Sequence, residues 1–223
     1  SIEHLAHLRI FLQNIADEGT VLDQVRRFFG PALCSGEIVE ARNSGCDPEC
    51  LIQMDCVALA AEAGRSQHAW VPGLERLTTP FPTVSSAAGF IFSSQMTGAD
   101  PATGEPVSHL RQLSRRGIEL LGPLAERASK SNLRFFLQQA ALWDHLLATL
   151  SAFHVPFDAT LYHMNWMRRP MSVFADGSVT RRIMEHTGDY LLTCFPVAAV
   201  PDPDAELAGR IVAIQPKSGM HKD

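Results

Sequence analysis

Four of the five cysteines, Cys34, Cys46, Cys50 and Cys56, fall within 23 residues, and Cys194 stands apart. Thiolates are soft, anionic ligands for zinc or an iron–sulfur cluster. The spacing is irregular, however, with eleven, three and five residues between successive members. No Cys-x-x-Cys pair occurs, so no zinc-ribbon or knuckle pattern fits. The competing reading is that these are small buried apolar residues. Cys46 and Cys50 flank Asp47-Pro48 and are the expected exposed thiols.

A second group lies on one segment, Leu161 to Arg168. Strand alternation splits it into two faces. Tyr162, Met164 and Trp166 share one; His163 and Asn165 share the other, between Leu161 and Met167. A His and an Asn two apart can point into one pocket. The imidazole titrates near neutrality and suits acid–base chemistry. Asn165 would orient a substrate carbonyl. A core histidine with its own hydrogen-bond partner is the alternative. Arg168-Arg169 and Arg181-Arg182 add charge nearby. In a strand each pair splits between faces, so Arg168 and Arg181 could converge on an anionic group. Charges that keep a strand edge soluble would look the same. His154, Asp158 and His186 form a weaker set. Pro156 breaks the first pair's spacing, and a metal site would need His186 as third ligand.

Other chemistry is absent from the sequence. There is no P-loop, no dinucleotide-binding glycine motif, no Gly-x-Ser-x-Gly elbow and no His-Glu-x-x-His helix. The 24 acidic residues outnumber the 19 Lys plus Arg, for a net charge of −5. That balance, with no basic stripe, argues against nucleic acid as partner. No apolar run reaches the length of a membrane span. The odd cysteine count and the lack of a signal segment imply a reducing, cytoplasmic setting.

Elements must place these residues. With 46% hydrophobic and 19% charged residues, the chain can bury a sizeable core. Residues 3–16 read as an amphipathic helix, from Leu5, Leu8, Phe11, Leu12 and Ile15. Thr20 caps a second helix, which Gly30-Pro31 stops. Glu37–Arg42 reads as a short strand, and Asp47-Pro48 as the start of a helix over Cys50–Ala63. Residues 64–106 form a Pro-rich covering segment, a loop or an irregular sheet edge, with one strand at Ala87–Ser93. A helix from Val107 breaks at Gly122-Pro123, and another starts at Ser129 or Ser131. Its apolar stripe carries one charged residue, Asp144. Beyond Pro156 the period becomes two. Asp158–Arg168 is a strand. Asp176-Gly177 then turns a hairpin, and strands follow at Tyr190–Phe195 and Arg210–Gln215. No internal repeat is visible.

The sequence thus predicts one α+β domain over 1–223, with N-terminal and central helices packed on an antiparallel sheet spanning 158–216. The expected function is small-molecule binding by an intracellular protein that could self-associate. The leading form is an enzyme on an anionic organic substrate, with His163 and Asn165 catalytic and Arg168, Arg181, Tyr162 and Trp166 holding substrate. The alternatives are a non-catalytic ligand sensor and a Cys-ligated metal or iron–sulfur protein.

Overall fold

The computed structural model describes residues 2–30, 33–41, 50–127, 130–168, 179, 183 and 191–215. Strands and helices mix in an α+β fold. The chain opens with a 3-10 turn, Ile2–His4, and strand β1, Leu5–Leu12. Helix α1, Glu18–Phe29, returns the chain to β2, Ser35–Glu40, and β3 follows at Ile52–Ala58. β1 lies between its partners, parallel to β2 and antiparallel to β3. Val21, Leu22 and Val25 of α1 close a core over Leu8, Ile10 and Leu12.

Two predicted helices are therefore strands. In 3–16, the residues that match a helical period compete with a second pattern of period two. Ala6, Leu8, Ile10 and Leu12 are all buried. Likewise Ile52, Met54 and Cys56 alternate along β3. Pairing with distant partners decides such ambiguous segments, because strand preference is largely a matter of neighbours.

The larger sheet has the order β4-β5-β6-β10-β8-β9, with β7 also on β10. Its strands are β4 Gln67–Ala69, β5 Val84–Ala87, β6 Phe90–Ser93, β7 Met96–Thr97, β8 Thr160–Met167, β9 Leu191–Pro196 and β10 Leu207–Ile214. The Pro-rich stretch is thus a sheet edge. It includes a tight hairpin at Ala88-Gly89, where φ is +50° and +82°. Two consecutive positive φ values are what the twist of a two-residue hairpin requires. Met96 is buried. Short α2, Glu75–Thr78, precedes β5, and α3, Arg115–Leu121, and α4, Leu124–Arg127, flank Gly122-Pro123 as predicted.

Helix α5, Lys130–Ala152, covers the sheet. Phe135, Leu137, Ala141, Trp143, Leu146 and Leu150 fill the main core. Asp144, the charge in its stripe, accepts from Ser114 Oγ at 2.6 Å and pairs with Arg116. It thereby pins the start of α3, which Ser114 also caps by accepting from Gly117 N at 3.0 Å.

The C-terminal sheet departs from the predicted antiparallel meander. β9 runs parallel to β8, and β10 inserts between β8 and β6. Parallel neighbours need a crossover. Val179 and Ile183, in the second arm of the predicted hairpin, are helical and buried in the main core. The Asp176-Gly177 turn lies outside the described residues.

This topology reveals a repeat that the sequence hides. β8, β9 and β10 reproduce β1, β2 and β3: a parallel pair, then a third strand antiparallel on the first strand's other side. The registers agree residue for residue. His7 faces Val57, and 155 positions on Tyr162 faces Val212; Leu12 faces Ile52 as Met167 faces Leu207. Both ladders skip one residue at the same point, Ala6 and Leu161. The bond from Gln13 N to Leu51 O recurs as Arg168 N to Glu206 O. The entry turn Ile2–His4 recurs as Phe157–Ala159. Phe11 and Trp166, which correspond under this offset, meet edge to face at 6.0 Å where the units pack together.

Candidate functional site

The two units meet around a buried carboxylate. Glu37 of β2 accepts from Trp166 Nε1 at 2.7 Å. Arg210 of β10 lies 3.0 Å from the same oxygen, and His7 Nε2 is 3.6 Å from the other. Burial alone would raise the Glu37 pKa. The nearby His7 ring and the charge of Arg210 outweigh it and hold the carboxyl at about 2. Burial keeps His7 below its ordinary range, which favours its neutral form. Its Nδ1 lies 2.9 Å from Ser35 Oγ. Arg210 also stacks over the Tyr162 ring at 5.9 Å. One oxygen of Glu37 is met by both Trp166 and Arg210, and an opposite charge beside it is the condition for keeping a carboxylate in a core.

Two of the five described residues of the sequence-predicted sheet site belong to this packing. Tyr162 and Trp166 face the first unit. His163 and Asn165 share the opposite face, as alternation predicts, and the imidazole packs on Trp143 with ring centroids 4.3 Å apart. His163 is fully buried, and burial pushes its pKa down to about 3 despite the hydrogen bond with Asn165. Arg168 donates to Pro203 O and to Ala205 O, closing the turn before β10. Arg181, Arg169, Arg182 and His186 lie outside the described residues.

Among the described residues the cysteines form no metal site. Cys34 is buried in the core under α1, and burial pushes its thiol up to about 12. Cys50 and Cys56 are exposed, and Cys46 lies outside the described residues. Among the described residues, no three His, Cys, Asp or Glu side chains are placed to hold a metal ion.

A cleft of about 190 Å³ opens at the seam between the units, lined in part by α1, β2, α2 and the 95–97 segment. Gly36 makes its floor. A Cβ there would sit 2.4 Å from the Phe81 ring, so only glycine lets the ring lie against β2. Gly36 N donates to Ser94 Oγ, and Gln95 N to Gly36 O, both at 2.9 Å. The Gln95 side chain then accepts from Ile38 N through Oε1, also at 2.9 Å. That bond fixes the amide, because only the oxygen can receive an N–H. Nε2 is left buried with no partner among the described residues. An unpaired buried donor costs roughly 1–3 kcal/mol. Glu18, Arg76, Thr79 and Asp202 bring polar groups to the same cleft. Burial raises the Glu18 pKa, which favours its neutral acid.

Two other clefts are larger, at about 420 and 390 Å³. Arg116 and Asp144 hold each other, and His145 Nε2 meets Ala99 O at 2.8 Å. Sequence reasoning missed Gln95, Gly36 and Arg210. One signal was present: polar Ser93-Ser94-Gln95 directly follows an apolar strand.

No family model matches this chain, and no curated protein does. Solved structures do. A Klebsiella pneumoniae protein named "putative endoribonuclease" superposes with a TM-score of 0.52 at 18% identity, over 61% of this chain and 100% of its own. The yeast protein YEO7 gives 0.50 at 11%, over 68% and 99%. The YjgF gene product of E. coli gives 0.50 at 12%, over 67% and 99%. The likeness is one of fold: this chain shares their α+β architecture and carries a further third of its length besides. Among the described residues, no helix is long and apolar enough to cross a membrane.

Proposed function

We propose that this protein binds a small organic molecule with a carbonyl or carboxylate group in the cleft between β2 and the 76–97 segment. The observation that supports the reading is the unpartnered Gln95 Nε2 in the wall of that cleft. A ligand oxygen would satisfy it, after a small shift of the wall that exposes the amide. Arg76 would attract the ligand's charge, and Glu18, with its raised pKa, is the acid placed to move a proton. His163 and Asn165 do not line this cleft, and in this reading they pack the core. The Klebsiella neighbour's name points to RNA. An acidic chain whose cleft sets Glu18 and Asp202 beside Arg76 is poorly suited to a phosphate backbone, which needs several cations.

The test is a thermal-shift screen of small carboxylic, 2-oxo and amino acids on the wild type and Gln95→Glu. Glutamate keeps an oxygen for Ile38 N but offers no N–H and repels an anion. Compounds that stabilise the wild type should bind the variant about 10- to 100-fold more weakly, the loss of one charge-assisted hydrogen bond. NMR of the same mixtures reports turnover. Equal binding to both proteins, or no shift from any oxyacid, would sink the reading.

A further inference from the structure

The two units are covered unequally. In the second, β10 has β6 and β7 on its outer edge and α5 on its face. Leu207, Ile211 and Ala213 are completely buried as a result. Their counterparts in the first unit, at the same 155-residue offset, are Ile52, Cys56 and Ala58, with Met54 in place of Gly209. Ile52 is 40% and Met54 46% exposed, and Leu51 and Val57 beside them are open too. Among the described residues β3 has no strand on its outer edge. An apolar, unpaired edge is a template for another strand.

We propose that β3 is the docking surface for a hairpin-and-helix segment that precedes Ser1 in the same polypeptide and has the build of residues 67–152. Residues 1–223 then hold one complete unit and the second half of another. Three observations carry this. Register, bulge and flanking bonds agree between the units, so what covers β10 fits β3 in the same geometry. A part of this chain suffices for a whole protein of this fold, since the Klebsiella protein is matched over all its length by 61% of this chain. The turn Ile2–His4 keeps the form of Phe157–Ala159, which in the second unit receives the chain from α5. The incoming strand would pair antiparallel with Val57–Leu59 as Phe90–Phe92 pairs with Val212–Ile214. Its helix would lie over Ile52, Met54 and Cys56. This surface lies on β3, away from the ligand cleft, and is independent of what that cleft binds.

The experiment uses the native protein, immunopurified from its own cells with antibodies to residues 1–223. Its intact mass should exceed 24.5 kDa by roughly the mass of residues 67–152. Hydrogen exchange should then show the β3 amides protected about 100-fold more than in isolated 1–223, as expected when an edge becomes a central strand. A third readout is Ile52→Asp, which should lower the melting temperature of the native protein and leave that of 1–223 unchanged. A native mass of 24.5 kDa overturns the proposal. So does a longer protein whose β3 amides exchange as fast as those of 1–223.

Discussion

Replacing Glu37 by Gln tests the electrostatic account of how the two units hold together. The side chain keeps its shape and an oxygen for Trp166 Nε1, but the charge that balances Arg210 is lost. Arg210 is only 5% exposed and cannot turn to water. Removing one partner of a buried pair costs about 3–5 kcal/mol. An independent route gives a similar size. A drop from the ordinary 4.5 to about 2 in the folded state corresponds to roughly 3 kcal/mol. The sign follows from the depressed pKa. The contribution is fully present above about pH 4.5 and is lost as pH falls towards 2. Urea unfolding at pH 7, 5, 4 and 3, followed by tryptophan fluorescence, measures both proteins. Buried neutral His163 and His145 also cost stability in acid, so the informative quantity is the difference between wild type and variant, from which they cancel. That difference should be about 3 kcal/mol at pH 7 and shrink below pH 4. Adding Arg210→Met to the variant should restore part of the loss. A difference under about 0.5 kcal/mol at pH 7, or one that does not change with pH, would refute the reasoning.

Other outcomes follow from single contacts. Gly36→Ala puts a methyl 2.4 Å from the Phe81 ring and should lower stability by about 1–3 kcal/mol in urea unfolding, while ligand-induced stabilisation is lost as the floor lifts. Asp144→Ala leaves Arg116 and Ser114 without their shared partner. The unfolding midpoint should fall by an amount worth roughly 1–2 kcal/mol, and hydrogen exchange should place the loosening at α3. Iodoacetamide at pH 8 should label Cys50 and Cys56 in folded 1–223 and spare Cys34, whose thiol is buried and held near pKa 12; peptide mass spectrometry after timed quenching reads this directly.

What the sequence revealed tracks how local the cause was. α1 was legible because Gly30 ends it and its apolar residues have a single period. The break at Gly122-Pro123 was legible because proline acts on its own turn. α5 announced itself through a long stripe, and even its anomaly, Asp144, proved to be a contact 28 residues back in the chain to Arg116. β1 and β3 were misread because each fits two periods, and the partner that decides lies 46 residues away for Arg9 and Asp55. The parallel placing of β9 depends on a crossover no local signal describes. The repeat stayed hidden for a stricter reason. Between Leu5–Leu12 and Thr160–Met167 no position keeps its residue type. Backbone register is retained while every side chain differs, since a ladder is built from main-chain groups. In the site, alternation placed His163 with Asn165 and Tyr162 with Trp166 on the correct faces. It could not say that a second sheet would cover one of those faces.

The cleft's position follows from how the edges of the first unit are used. β2 could have been an open edge. Instead its outer groups bond to Ser94 and Gln95 at one end and to Ala198 and Ala199 at the other. These bonds are long-range and fix β2 against the second unit. Gly36 removes the one side chain that would hold Phe81 away, and the shallow space beyond is what remains between α1, α2 and the 95–97 segment. The wall of that space is tied by hydrogen bonds at both ends of β2. Gln95 is part of that wall: its backbone N–H and its side-chain oxygen hold β2, and the geometry that satisfies those two groups is what strands the third, Nε2. The same residue that joins the units therefore carries the unmet hydrogen bond. This is why Gln95→Glu separates the roles: it retains the acceptor that joins the units and removes the donor that a ligand would meet.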